Sequence, residues 1–293
     1  MVSIPRPLVS TVWLKKALAA GSPSFRLLDV TWTPTGKSGQ EIHAEKHIPG
    51  SHFFDMEECR NKESPYRVML PSPRVFSEYV GSLGIGNDTH VITYDNDPVF
   101  QVKNMGRVWW MFRVFGHDRV SALDGGLAQW IKEGNPVTSQ LSEAPQPAKF
   151  EAKFRPELVK SYEDIMDHLK EPKFQLLDSR PPQWYDGSKP SQLKGLRLGT
   201  IKTSVHLPFP QLFQEGTTVF RPPQEIREIF RSKGINLSKP LTTTCNVGVT
   251  ANMLTLGAFI AGKEDVAVYD GSWNEFSQRA PDDAINIATL REE

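Results

Sequence analysis

The chain has 293 residues, which at roughly 150 per domain suggests two domains. Its 34 Lys and Arg balance 34 Asp and Glu, so no charge excess points to a polyanionic partner and no nucleic-acid role is expected. No run approaches the ~18 apolar residues of a membrane span, so no membrane role is expected. The two cysteines, Cys59 and Cys245, are too few for a disulfide scaffold or a Cys-rich metal site and suit a reducing compartment.

At the N-terminus, Pro5, Arg6 and Pro7 interrupt any secretory apolar core. No acidic residue precedes Asp29, while Arg6, Lys15, Lys16 and Arg26 are basic. Such a start is compatible with mitochondrial import, and equally with a first amphipathic helix over 8–20 in a cytoplasmic protein. RLLDV (26–30), HVITYD (90–95) and VSALDGG (120–126) read as strands ending in turn residues. SEYVGSLG (77–84), RVWWMFRVFG (107–116) and REIFRSKG (227–234) read as helices closed by glycine. The alternation predicts an α/β fold: a mainly parallel sheet with helices on both faces. Trp109 and Trp110 sit on a helix and are assigned to packing.

One unit is written twice. FRLLDVTW (25–32) returns as FQLLDSRPPQW (174–184), and HIPGSHFFD (47–55) returns, eroded, as TIKTSVHLPF (200–209). LGIGNDTHVITYD (83–95) matches KGINLSKPLTTTC (233–245), and VSALDGGLAQW (120–130) matches VAVYDGSWNEF (266–276). The matched aspartates Asp29 and Asp178 lie 149 residues apart, and Asp95 lies 150 from Cys245. A period this long is a domain rather than a solenoid repeat. Pro136, Pro145, Pro147 and Pro156 mark an extended connection. The expected division is a first domain over 1–138, a linker over 139–157 and a second domain over 158–293.

In LTTTCNVGVTANMLTLGAFIAG (241–262), Cys245 falls between a β-branched strand and an apolar helix. Sites in parallel sheets gather at such carboxyl ends. Gly248 permits the tight ring of backbone that the loop requires. Amides at a helix start favour an anion, which suits a thiolate and a terminal sulfur added to it. Cys59, in MEECRN, has no glycine loop and reads as a small buried hydrophobe. The first copy carries Asp95 at the Cys245 position, so one copy alone can perform thiol chemistry. A phosphatase would need Arg six residues after the cysteine, where Ala251 stands. Nor does any histidine, His47 and His206 included, fall in a pattern that sets a base beside Cys245.

These blocks, with SPYRVMLPS (64–72), LDGGLAQW (123–130), LLDSR (176–180), the CxxGVT loop (245–250) and VAVYDGSW (266–273), resemble the two-domain rhodanese family of thiosulfate and 3-mercaptopyruvate sulfurtransferases. The resemblance spans roughly residues 8–285 and implies two tandem rhodanese-like domains. It also implies transfer of a sulfane sulfur from 3-mercaptopyruvate or thiosulfate to a thiol or cyanide through a Cys245 persulfide. Thioredoxin is a candidate acceptor, and no metal or organic cofactor is implied. Asn246, Val247, Gly248, Val249 and Thr250 match the loop that holds the sulfur. Asp55 matches an acidic residue of the first domain facing the site, or else caps a turn. Arg180 is a further candidate for the substrate site. The sequence departs from the family's pattern at Asn246 and Val247, at Trp184 where an arginine is usual, and at Thr200 and Thr203 in place of His and Gly. Lys189, Lys194 and Arg197 are candidates to replace the missing cation. The alternative is a catalytically degenerate paralogue that binds sulfur compounds or a protein partner.

Overall fold

The structure, a computed structural model, describes residues 6–21 and 25–287, so Pro5 and residues 288–293 lie outside it. Contacts divide the chain into two compact units. The first comprises Met1–Lys62, Leu70–Arg155 and Phe213–Arg221, and the second Glu63–Met69, Pro156–Leu212 and Pro222–Glu293. The units are thus not two uninterrupted stretches, and most of the expected linker, up to Arg155, belongs to the first.

In the first unit, β1 (Leu8–Val9), β2 (Phe25–Asp29), β3 (His52–Phe53), β4 (His90–Tyr94) and β5 (Val120–Leu123) form a sheet ordered β1-β5-β4-β2-β3. Every pairing is parallel, with Leu27 opposite Ile92. The accompanying helices are α1 (Thr11–Ala19), α2 (Gly39–Glu45), α3 (Pro73–Ser82), α4 (Met105–Val114) and α5 (Gly126–Lys132). Their starts follow from the sequence. Ser10 and Ser72 cap α1 and α3, and Ser38 with Glu41 makes a reciprocal capping box on α2. Leu14, Leu27, Ile48, Ile92, Leu123, Leu127 and Trp130 pack into one core cluster. α4 is buried at every position, which fits the apolar run that marked it and assigns Trp109 and Trp110 to the core.

The second unit repeats the plan. Strands β6 (Val159–Lys160), β7 (Gln175–Asp178), β9 (Val205–His206), β10 (Leu241–Thr244) and β11 (Ala267–Tyr269) are ordered β6-β11-β10-β7-β9, again all parallel. β8 (Thr200–Ile201) and β12 (Ile285–Asn286) pair antiparallel beside it. The helices are α6 (Tyr162–Lys170), α7 (Pro182–Tyr185), α8 (Pro223–Ser232), α9 (Ala251–Ile260) and α10 (Ser272–Arg279). Thus β4 and β10 hold the same central place, and the duplication read from the blocks is a duplication of topology. None of the helices among the described residues is long and apolar enough to cross a membrane.

Candidate active site

β10 is buried along its whole length between β7 and β11. β-branched threonines suit a strand covered on both faces, and the buried hydroxyls of Thr243 and Thr255 bond each other at 2.9 Å. Cys245 is the next residue, at the carboxyl edge of the sheet, and α9 starts six residues later. Gly248 turns the loop with φ +72°, in the left-handed region.

The loop is held by its carbonyls. Trp273 N–H donates to Cys245 O at 3.0 Å and Asn274 N–H to Asn246 O at 2.8 Å, both from the start of α10. Asn252 Nδ2 donates to Gly248 O at 2.6 Å, and the Thr250 and Ser179 hydroxyls share a 2.8 Å hydrogen bond. Among the described residues, the amides of Asn246, Val247, Val249 and Thr250 have no protein acceptor. Four donors at the start of a helix with no side-chain cap form a receptor for negative charge.

Ser272 completes the arrangement. Its Oγ accepts the Cys245 amide at 3.2 Å, donates to Tyr269 O at 2.8 Å and lies 4.0 Å from Sγ. Its φ of +50° is one that side chains rarely adopt, and such strain marks a position the surroundings enforce. Ser272, Asn252 and Ser179 were not singled out from the sequence. Ser272 lies inside the recurring YDGSW block, but nothing there tells its hydroxyl apart from that of any other turn serine.

The two cysteines are equally buried, each 1% exposed. Cys59 lies in a turn within four residues of Asp55, and burial pushes its thiol far above the ordinary range. It has no amide loop beside it and reads as packing.

The remaining candidates separate into those built into the framework and those left open. Arg180 is 1% exposed, salt-bridged to Asp178 at 2.8 Å, bonded to Gly199 O and stacked over Trp273 at 4.7 Å. Arg197 donates to Ser277 O and Ala280 O and pairs with Asp282. Both are candidates for the substrate site, and in this structure both side chains hold partners within the second unit. Trp184 is half-buried on α7. Lys189 and Lys194 are exposed in the loop that follows, and no ion-pair partner of either exists among the described residues. Asp55 belongs to the first unit, where its Oδ1 accepts the Glu57 and Glu58 amides and so caps a turn. Among the described residues no group of three or more His, Cys, Asp or Glu is placed to hold a metal.

The first unit shows what the same loop does without a thiol. Asp95 follows β4 as Cys245 follows β10, and its Oδ2 takes the amides of Lys103, Asn104 and Met105 at 3.0, 2.6 and 2.8 Å. Burial, then neighbouring Asp97, pushes this carboxyl up to about 7 against the pull of those amides. In this copy the donors at the helix start are consumed by the chain's own carboxylate.

Rhodanese-like domain models match residues 10–133 and 161–279. The chain belongs to the rhodanese family. It is 48% identical over 280 residues to thiosulfate sulfurtransferase from Bos taurus, covering 94% of this chain and 93% of the relative. It is 44% identical over 288 residues to 3-mercaptopyruvate sulfurtransferase from Homo sapiens, covering 96% and 95%. Among solved structures, the sulfur transferase subunit of yeast mitochondrial complex I is 32% identical with a TM-score of 0.85, over 96% of this chain and 99% of that one. A crystal structure of a 3-mercaptopyruvate sulfotransferase from Escherichia coli is 30% identical with a TM-score of 0.80, over 92% and 99%. The two units are therefore tandem rhodanese domains, and the chain is a sulfurtransferase of the thiosulfate or 3-mercaptopyruvate type.

Proposed function

We propose that Cys245 carries the transferred sulfur as a persulfide, taking it from 3-mercaptopyruvate or thiosulfate and giving it to a thiol or cyanide. The observation that carries this reading is the loop itself: a cysteine at the end of the central strand beside four amides with no protein acceptor among the described residues. In the first half-reaction the Cys245 thiolate attacks the donor's outer sulfur. The donor's S–S bond, or the C–S bond of mercaptopyruvate, breaks and the leaving group keeps the electron pair, departing as sulfite or as the enolate of pyruvate. In the second, the acceptor attacks the outer sulfur of the persulfide and the pair returns to Sγ. The loop amides stabilise the negative charge on sulfur in both halves. Thioredoxin, a protein dithiol, fits the acceptor role on the same chemistry.

The donor preference leans toward 3-mercaptopyruvate. Thiosulfate is a compact dianion that needs a well-placed cation away from water, whereas mercaptopyruvate carries a single carboxylate. The CNVG loop carries no cation, Trp184 stands where the family's arginine would, and Arg180 and Arg197 are engaged elsewhere. For location, the basic, acid-free N-terminus supports a mitochondrial or cytoplasmic protein. Steady-state kinetics with both donors and cyanide test the reading: thiocyanate forms with wild type and with Cys59→Ser, and not with Cys245→Ser. Turnover that survives in Cys245→Ser would overturn it.

A further inference from the structure

Toward the amino end of β10, Thr242 is 1% exposed and its Oγ1 has no hydrogen-bond partner among the described residues. A buried hydroxyl left unpaired costs free energy comparable to a lost hydrogen bond, so it calls for a ligand. Its direction follows from the strand. Thr243 bonds Thr255 of α9, and side chains alternate along a strand, so Thr242 faces the other layer. Leu176, opposite Thr242 in the sheet, packs on that side in one cluster with Ile165 of α6. There a pocket of about 230 Å³ opens, lined by Thr242 together with Glu157, Asp164, Asp167 and Asp265. Lys160 and Lys173 also line it, so carboxylates outnumber cations four to two.

We propose that this pocket binds a guanidinium group. The excess of carboxylate selects a cation. The acidic side chains come from separate segments, and among the described residues no three of them converge as metal ligands do, so the cation is an organic one. Asp164 accepts from Ser161 through Oδ2, and Asp167 and Asp265 pair with Lys170 and Lys263 through Oδ1. Glu157 has no ion-pair partner among the described residues. An oxygen of each therefore remains for a further donor. The ligand must donate in several directions at once, to the buried hydroxyl and to carboxylates around it. The planar fork of a guanidinium, with five N–H donors, does this better than an ammonium with three. Guanidinium is also the more weakly hydrated of the two, so leaving water costs it less. Glu157, Asp167 and Asp265 are exposed, so the grip is modest and salt-sensitive. Thr242 precedes Cys245 by three residues, roughly 10 Å along the strand, so the pocket is separate from the sulfur-transfer loop.

The test is a titration of the full chain with millimolar ethylguanidinium, followed by the amide resonances of Thr242, Phe174 and Asp265, with ethylammonium and inorganic phosphate as controls. Ethylguanidinium should shift these resonances and bind more tightly than ethylammonium, and phosphate should leave them in place. Thr242→Val keeps the shape and removes the hydroxyl. It should weaken ethylguanidinium binding about three- to tenfold and melt no earlier than wild type, because no protein hydrogen bond is lost. Glu157→Gln/Asp167→Asn should weaken binding about two- to fivefold at low salt, with the difference fading at high salt. Resonances that do not move, equal affinity for ethylammonium, or movement with phosphate would overturn the proposal. So would wild-type affinity in Thr242→Val, or an earlier melt of that variant, which would show that the hydroxyl serves the fold. A further arm separates the sources of the group. An acetylated Gly-Arg-Gly amide that binds as tightly places the guanidinium on a peptide, and its exclusion while ethylguanidinium still binds places it on a free small molecule. Both of these results uphold guanidinium recognition.

Discussion

Equal burial with opposite surroundings is what distinguishes Cys245 from Cys59. Cys59→Ser exchanges one small group for another in a packed turn, so a stability cost of about 1 kcal/mol with most activity retained is expected, measured by denaturant melts alongside kinetics. Trp184 tests the donor side. Placing a guanidinium there with Trp184→Arg adds a charge-assisted contact for thiosulfate, and kcat/KM for that donor should rise about tenfold to a hundredfold while mercaptopyruvate changes less. No gain on thiosulfate, or a wild type more efficient with thiosulfate, would remove the argument that the cation-poor site favours mercaptopyruvate. At this scale the sequence showed the nucleophile, because a cysteine between a β-branched strand and an apolar helix is a local pattern. It did not show Ser272, whose role depends on α10 meeting the loop across 27 residues of chain. Nor did it show that Arg197 holds Asp282 and the carbonyls of Ser277 and Ala280, since partners that distant in the chain leave no local trace.

The repeated elements can be compared position by position, and the eroded block is informative. Gly50 ends the first copy's HIPG with φ +81°, and Thr203 stands at the matching place with φ +70°. A β-branched residue in that region is strained by about 1–2 kcal/mol, which a Thr203 Oγ1 contact to His168 Nε2 at 3.3 Å partly offsets. Thr203→Gly should relieve the strain, less the ~0.5–1 kcal/mol that glycine loses in chain entropy, and so raise stability slightly. A lower melting temperature would show that the hydroxyl contact outweighs the strain. The loop offers a second check. Asn252 Nδ2 bridges α9 to Gly248 O, so Asn252→Ala removes a buried hydrogen bond that shapes the loop and should cost about 1 kcal/mol while lowering kcat. A variant that melts earlier yet turns over at the wild-type rate would show that the loop keeps its shape without this bridge. The central strands and the helices α3, α4, α8 and α9 were legible because β-rich runs and glycine stops are local signals, whereas α2 and α6, which open on the capping boxes of Ser38 with Glu41 and Ser161 with Asp164, lie outside the segments that read as helices.

For the molecule as a whole, the boundaries were the least legible feature. Residues 63–69 are counted with the second unit and 213–221 with the first, an exchange that no composition shift announces. Within the first unit, the 213–221 segment is tied by Phe220 N–H to Asp124 Oδ1 at 2.9 Å and by Thr218 Oγ1 to Gly125 O at 2.8 Å. Burial pushes the Asp124 carboxyl up to about 6. Its folded value lies above its unfolded one, so the folded state binds the proton more tightly between the two. The stability it contributes is therefore present below about pH 4 and lost as pH rises through about 6, about 3 kcal/mol at most. Asp124→Asn keeps an acceptor for Phe220 and removes the titration. From pH 4 to 7 the wild type should lose stability relative to this variant, and parallel melting curves across that range would contradict the assignment.

The central claim is that one sulfur atom rests on Cys245 between two half-reactions. The most direct measurement is the mass of the protein after mixing with 3-mercaptopyruvate or thiosulfate in the absence of acceptor, followed by peptide mapping. The prediction is a gain of a single sulfur located on the peptide that contains Cys245, discharged on adding cyanide and absent in Cys245→Ser. A gain that maps to Cys59, or an unmodified Cys245 with either donor while product still accumulates, would contradict it.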